Sequence, residues 1–187
     1  MSKKGNRITI RKNSIFKNGN LFFKTDRELT LKEFLKTSWK HLGVKYPKFY
    51  KMDEISKLAM LATEVLLMDE PHKNYDPEMV GIVLSNAHST LVTDINHWNT
   101  VNSDSAFFPS PAVFVYTLPN IMIGEICIKH KFKGENAFFI NKEYDEAVIL
   151  QHIDMLMAQN KINAAVGGWV DQYKEDYLAE IFWVTGN

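Results

Sequence analysis

Short apolar segments of strand length alternate with longer amphipathic segments of helix length along this chain, and this alternation constrains the fold more than any other feature. The clearest helix pattern covers residues 53–68, where apolar residues recur at helical spacing and Pro71 follows. A compact apolar run at residues 79–84 comes next, as expected for a strand covered on both faces. A second amphipathic helix pattern covers residues 144–159. Strands alternating with helices predict an α/β fold in which part of the sheet is parallel.

The flanking segments extend the same pattern. Thr30 and Glu33 form a capping box, in which the two residues reciprocally satisfy free backbone amides, and the helix that follows is predicted to end before Gly43. The turn-prone pair Asn18-Gly19 precedes one short strand. The other predicted elements are strands at residues 7–10, 21–23, 137–140, 163–167 and 178–184 and helices at residues 31–41 and 120–131.

One segment is ambiguous. Residues 111–117 are rich in β-branched and aromatic side chains, which favour a strand. Ser110 and Pro111, however, have the character of an N-cap followed by a first-turn proline, which favours a helix. The pattern does not decide between them. Residues 99–111, with two prolines and several serines, are predicted to form a loop inside one domain.

Composition and charge exclude several classes of function. The chain has 187 residues, 45% of them apolar, which suits one globular domain over residues 1–187. Because 22 basic residues balance 22 acidic ones, the field that draws proteins to nucleic acid or anionic lipid is missing. The single cysteine, Cys127, is expected to pack in the interior. One cysteine is too few for a cysteine-ligated metal site, and we expect no metal or other cofactor. No apolar segment of about 18 residues is present to span a membrane, and we expect a cytoplasmic protein.

Six fragments, in this order and at this spacing, resemble the N-terminal half of a β-ketoacyl synthase of the thiolase superfamily. They are Lys51-Met52-Asp53 leading into residues 58–62, then residues 80–84, 110–120, Gly124-Glu125, 133–136 and 166–168. The resemblance covers the chain from about Lys48 onward. It implies a thiolase-like half-fold, in which helices pack on a mixed β-sheet.

The resemblance also implies a nucleophile position, and this chain departs from the family there. In the family a cysteine nucleophile stands at the start of a long buried helix, where the helix dipole stabilises the thiolate. Glu143 aligns with that position, and Cys127 lies on the preceding helix. The catalytic histidines of the family come from a second half, and no histidine of this chain carries over to them. Glu143 is therefore either a functional replacement or an acidic residue in the first turn of a helix.

These departures lead to two hypotheses of function. The first is an accessory, chain-length-factor-like protein of fatty-acid or polyketide and polyene-type biosynthesis that has no autonomous condensing activity. The second is a small acyl-thioester decarboxylase or acyltransferase that uses Glu143 with His88. His88 belongs, with Asn86 and Ser89, to a polar cluster at the predicted carboxyl end of a strand, where open α/β sheets place their sites.

Partners follow from the same resemblance. Lys129, Lys131 and Lys133 are candidates for docking an acidic acyl carrier protein, although cations at a helix end are commonly only solvated. The family pairs subunits through the strand that matches Ala137, Phe138, Phe139 and Ile140, so we expect a homodimer, or a heterodimer with a full-length ketosynthase. Glu125 either lines a pocket or forms a surface pair with Lys129 four residues on, and we expect the surface pair.

Overall fold

A computed structural model describes residues 2–69, 71–102 and 110–186. Within these ranges seven strands form one mixed sheet, and six α-helices accompany it. The strands are β1 (Lys3–Arg11), β2 (Ser14–Lys17), β3 (Asn20–Lys24), β4 (Val80–Asn86), β5 (Asn136–Ile140), β6 (Ala164–Tyr173) and β7 (Asp176–Thr185). The helices are α1 (Leu31–Leu42), α2 (Glu54–Leu67), α3 (Leu91–Val101), α4 (Pro111–Val115), α5 (Ile121–His130) and α6 (Glu146–Ala158). The predicted α/β class is confirmed.

The strand order is β3-β2-β1-β7-β6-β4-β5, so β3 and β5 are the two edges of the sheet. The strands β5, β4 and β6 run parallel, with helical crossovers between them, whereas β6, β7, β1, β2 and β3 pair antiparallel. The carboxyl ends of the three parallel strands therefore meet at one end of the sheet, where α/β proteins place functional groups.

Local capping explains where the two best-predicted helices begin. The Thr30 side chain accepts a bond from the Glu33 amide, and Glu33 reaches back to the Thr30 amide, so the predicted capping box is present. Gly43 ends α1 in the left-handed conformation at φ 66°, which a glycine adopts without steric cost. Asp53 caps α2 by accepting a bond from the Ser56 amide.

Each face of the sheet carries its own core. The larger core lies where α1, α2 and α5 cover one face, and Trp39 and Phe49 stack there with ring centroids 3.8 Å apart. The smaller core lies on the opposite face, where Ile149 and Ile153 of α6 pack against Val83 and Phe182. This division makes α6 the cover of one face near the parallel strands.

Two glycines let β4 and β5 approach each other closely. A Cβ atom at Gly81 would lie 2.5 Å from the backbone oxygen of Glu135. A Cβ atom at Gly134 would lie 2.6 Å from the backbone oxygen of Val80. Both distances are shorter than any ordinary van der Waals contact. The edge strand β5 can therefore lie this close to β4 only because Gly81 and Gly134 have no side chain.

The structure resolves the ambiguous segment and corrects the predicted loop. Residues 111–117 begin as the short helix α4, because Pro111 occupies its first turn with φ preset for a helix. The loop predicted over 99–111 is wrong at its start, since α3 runs to Val101; residues 103–109 lie outside the described part of the chain. The strand β2 was not predicted. In the described residues, no helix is long and apolar enough to cross a membrane.

Candidate functional site

The polar cluster predicted at the end of β4 forms a tightly bonded turn. The Asn86 side chain is fully buried, and it donates to the backbone oxygen of Ser89 at 2.8 Å and accepts from the Ser89 amide at 2.9 Å. Ser89 stands at φ 51°, a left-handed conformation that is uncommon for a residue other than glycine. The turn between β4 and α3 is therefore held by side-chain bonds rather than by backbone bonds alone.

Asp171 of β6 fixes the remainder of that turn. One carboxylate oxygen accepts from the backbone amides of Ala87 at 3.2 Å and His88 at 3.1 Å. The other oxygen lies 2.8 Å from Nδ1 of His88, and the imidazole also stacks on the Tyr173 ring with centroids 4.7 Å apart. The His88 ring is thus held by a carboxylate at one nitrogen and by an aromatic face.

His88 lines an open groove of about 1510 Å³ on the described surface. Its walls include aromatic and aliphatic side chains at the carboxyl end of β6, at the start of β7 and in the segment before α1. These are Leu29, Trp169, Tyr173, Tyr177 and Leu178. Most of the other lining residues are charged or polar, among them Arg11, Lys24, Arg27, Glu28 and Asp176, so the groove combines an oriented imidazole with a wall that is only partly apolar.

Glu143, the residue at the predicted nucleophile position, does not join that site. It is exposed in the segment between β5 and α6. Asp145 caps α6 instead, by accepting from the Ala147 amide at 2.9 Å, and Glu146 in the first turn forms ion pairs with Lys4 and Arg7. No hydrogen bond among the described residues links Glu143 to His88. The alternative prediction, that Glu143 lies in the first turn of a helix, is wrong because α6 begins three residues later, at Glu146.

The described residues contain no cluster of three or more side chains that could hold a metal ion. His97 of α3, the other histidine near the polar cluster, contacts the Phe114 ring with centroids 5.4 Å apart. It does not bond to His88.

The three candidate docking lysines differ in their surroundings. Lys129 is only 15% exposed at its side chain and pairs with Glu64 at 2.6 Å. Lys133 is exposed and pairs with Glu78 at 2.8 Å. Lys131 is exposed in the left-handed cap of α5 at φ 63°. The predicted basic cluster therefore contains one lysine that is committed to an internal ion pair.

Glu64 is the centre of a small charged network. Its carboxylate binds both Lys129 and His130 at 2.6 Å. Burial by itself raises the pKa of Glu64, but the hydrogen bonds from His130 and Lys129 outweigh it, so the pKa lies below its ordinary value. This network ties the end of α5 to α2.

Glu125 does not form the expected surface pair with Lys129. Its side chain is nearly buried, and it accepts a bond from the Tyr116 hydroxyl at 3.0 Å and pairs with Lys48 at 2.8 Å. Burial, followed by the neighbouring Glu125 carboxylate, raises the pKa of Tyr116. Glu125 and Lys129 therefore have different partners. Cys127 packs against the large core and contacts Asn136, and burial raises the pKa of its thiol, as suits a packing cysteine.

The predicted pairing strand lies at an open edge of the sheet. Ladder partners in the described chain exist on one side of β5 only, that of β4. Phe138 and Phe139 are half-buried, and Phe139 contacts His152 of α6 with ring centroids 5.1 Å apart. Ile140 is 58% exposed. An open edge with an apolar end is a template for another strand.

A second apolar surface was not anticipated from the sequence. In α3 the only buried residue is Thr93, and the large apolar residues face outward, with Trp98 63% exposed. α4 has no buried residue. We call the exposed set the α3–α4 surface; it comprises Leu91, Ile95, Trp98, Val101, Phe114, Val115 and Leu118. Its signal in the sequence is apolar residues at helical spacing from Leu91, which resembles the pattern of a buried helix face.

The sequence matches no model of a known protein family, and a search of curated proteins finds no match. Solved structures do match. A chain of the ishigamide ketosynthase/chain length factor superposes with a TM-score of 0.70 at 13% identity, covering 99% of this chain and 62% of that one. The fold is that of ketosynthases and chain length factors. The predicted thiolase-like resemblance is thus confirmed at the level of fold, and this chain spans 62% of the length of that neighbour.

Two further structures support the same fold. A chain of the ketosynthase ApeO in complex with its chain length factor ApeC, from Xenorhabdus doucetiae, has a TM-score of 0.66 at 12% identity, covering all of this chain and 79% of that one. The AntDE:AntF complex is a type II polyketide synthase acyl carrier protein with its ketosynthase bound to the hexaketide. A chain of this complex also has a TM-score of 0.66 at 12% identity, covering 100% of this chain and 62% of that one. At identities this low, the matches show a shared fold and not a shared activity.

Proposed function

We propose that this chain is an accessory subunit of the chain-length-factor kind that binds a ketosynthase subunit in fatty-acid or polyketide and polyene-type biosynthesis. The observation that carries the proposal is an open, apolar-ended β5 edge in a fold shared with complexes of a ketosynthase and a chain length factor. In this role residues 1–187 act as one domain, in the cytoplasm.

A series of contacts connects α3 and α4 to the start of β5. Thr90, at the start of α3, donates to the backbone oxygen of Thr117 at 2.8 Å. Tyr116, just after α4, bonds to Glu125 of α5. Cys127 of α5 in turn contacts Asn136, the first residue of β5. α3 and α4 are thus linked through α5 to the start of β5.

The exposure of the α3–α4 surface favours an interface. Its seven large apolar side chains are each between 38% and 63% exposed. Large apolar patches are rare on the surface of monomers and commonly mark interaction sites. The β5 edge adds backbone hydrogen bonds, which give affinity when a strand is added to a sheet edge. The combination fits a partner of the same fold that presents its own edge strand.

The position of Glu143 supports an accessory role over an autonomous condensing enzyme. An exposed carboxylate outside the helix cannot benefit from a buried helix dipole, and it is a poor acyl acceptor compared with a cysteine thiolate. Of the docking candidates, Lys131 and Lys133 keep exposed side chains for an acidic carrier protein, whereas Lys129 serves the Glu64 pair.

The test is co-expression with a ketosynthase from the same genome, followed by analytical ultracentrifugation of the purified proteins. We expect a one-to-one complex. Ile140→Lys should weaken it by about tenfold or more, as expected when an interface contact is lost and a charge is buried. Leu21→Lys is a matched control, because Leu21 is also 58% exposed but lies on β3, the opposite edge. Phe139→Asp should act in the same direction as Ile140→Lys.

Three outcomes count against the proposal. One is a chain that stays monomeric at micromolar concentration with and without the ketosynthase. Another is equal loss of binding in the Ile140 and Leu21 variants, which would indicate a nonspecific charge effect. The third is a homodimer that excludes the ketosynthase, which would support pairing through β5 but reject the accessory role.

A further inference from the structure

We propose that His88, oriented by Asp171, is a general base that hydrolyses acyl esters and thioesters bound in the groove. The proposal depends on the groove of this chain alone and not on the partner proposed above. It differs from a site built on Glu143, which shares no bond with His88 in the described structure. The geometry that points to it is an imidazole held at one nitrogen and on one face, with its other nitrogen left free.

The three constraints act on different parts of His88. The backbone amide and Nδ1 are both bonded to the Asp171 carboxylate, at 3.1 and 2.8 Å. The ring plane lies against Tyr173 at an interplanar angle of 18°. Because a carboxylate accepts only, Nδ1 carries the proton, and Nε2 of the neutral ring keeps its lone pair. Nε2 has no hydrogen-bond partner in the described residues, and the side chain is 36% exposed beside the groove.

The distance between the two residues in sequence makes this arrangement informative. His88 and Asp171 are 83 positions apart, and the β4–β6 ladder, with Ser85 opposite Trp169, brings them together. One oxygen of the Asp171 carboxylate binds the two backbone amides of the turn. The other oxygen orients the imidazole, as a positioning residue does for a general base.

The nucleophile is water, since no serine, threonine or cysteine in the described chain bonds to His88. Nε2 removes a proton from water while the water oxygen forms a bond to the acyl carbonyl carbon. The bond from that carbon to sulfur, or to oxygen in an ester, then breaks, and the imidazolium returns the proton to the leaving group. The products are a carboxylic acid and a thiol or alcohol, and no metal, redox partner or further reactant takes part.

The walls of the groove indicate the substrate class. Tyr177 and Leu178 of β7 and Leu29 before α1 line the groove together with Tyr173. Tyr177 is fixed by a bond from the Asn13 amide to its hydroxyl at 2.7 Å, so its ring is a rigid wall. These side chains form the apolar part of a groove that is otherwise largely charged, and an apolar part beside an acid–base group suits a short acyl chain whose carbonyl reaches the imidazole. Short aliphatic esters and thioesters are therefore the probes of choice.

The experiment measures hydrolysis of p-nitrophenyl butyrate and S-butyryl-N-acetylcysteamine by the purified full chain. We expect turnover above that of free imidazole at equal concentration, and a loss of about 100-fold in His88→Gln, the lower end of a general-base contribution. His41→Gln is the matched control, because His41 is exposed and stacks on Phe23 with ring centroids 4.4 Å apart. That variant should keep full activity.

Asp171→Asn separates positioning from folding. An asparagine oxygen still accepts from the Ala87 and His88 amides, so the turn is retained, but its NH₂ group faces Nδ1 and favours the proton on Nε2. We expect a fall in kcat with little change in KM, and a change in the ¹⁵N NMR signals of His88 to the opposite tautomer. Unchanged tautomer and kcat in Asp171→Asn, or turnover no greater than that of imidazole, would overturn the proposal. Equal loss in the His41 and His88 variants would do so as well.

Discussion

Gly81→Ala tests the close approach that sets the edge strand. A Cβ atom at Gly81 would lie 2.5 Å from the backbone oxygen of Glu135 and 3.0 Å from a methyl carbon of Ile162. The Ile162 side chain can shift by a few tenths of an ångström, whereas the oxygen belongs to backbone that pairs with β4. Relief therefore requires β5 to move away from β4. Overpacking of this kind costs about 2–4 kcal/mol.

The assay is thermal unfolding by calorimetry with a second glycine variant as a control. For a chain of this length 1 kcal/mol corresponds to about 2–4 °C, so we expect Gly81→Ala to lower Tm by about 4–16 °C. Gly124→Ala should raise Tm by about 1–3 °C, because nothing lies within 4 Å of the added atom and alanine is the better helix former. A Gly81 variant as stable as the wild type would refute the close packing of β4 on β5.

Three further changes test separate parts of the structure. Glu64 has a depressed pKa when folded, so its stabilising charge is present above the ordinary value of 4.5 and is lost as pH falls through the lower folded value. Glu64→Gln should cost about 1–3 kcal/mol at neutral pH and should flatten the acid limb of a urea-denaturation series; an unchanged acid limb would contradict the network. Thr30→Ala should cost about 1 kcal/mol in the same assay through loss of the capping box, and a change below about 0.3 kcal/mol would reject that bond as a stabilising one. Glu143→Gln should leave Tm and ketosynthase binding unchanged, since the side chain is exposed; a loss of activity or binding on this change would restore Glu143 as a functional residue.

Much of the fold could be predicted from short-range rules. The capping box at Thr30, the run of buried residues at 79–84 and the helical spacing after Asp53 depend on neighbours in sequence, and all three are confirmed. The strand β2 was missed because its four residues follow a turn at Lys12-Asn13 in which both residues take positive φ. Such turns prefer Asn, Asp or Gly at both positions, so Lys12 made the signal weak.

The site could be predicted only in part, because its bonds join distant segments. His88 was singled out by its place at a strand end, but its partner Asp171 lies on β6 and carries no local signal. For Glu125 the spacing of four residues favoured Lys129, yet burial turns that carboxylate toward Tyr116 and Lys48. Spacing rules describe exposed helix faces, and α5 instead packs against α2.

Hydrogen exchange of the β5 amides, measured for the free chain and for its complex with a ketosynthase, tests the proposed accessory role most directly. Amides that face away from β4 have no ladder partner in the described chain, so they should exchange fast in the free protein and slow by about tenfold or more when a strand pairs with them. β3, the opposite edge, should exchange at the same rate in both samples. A complex that forms without any protection of β5 would contradict the account, as would protection of β3 in its place.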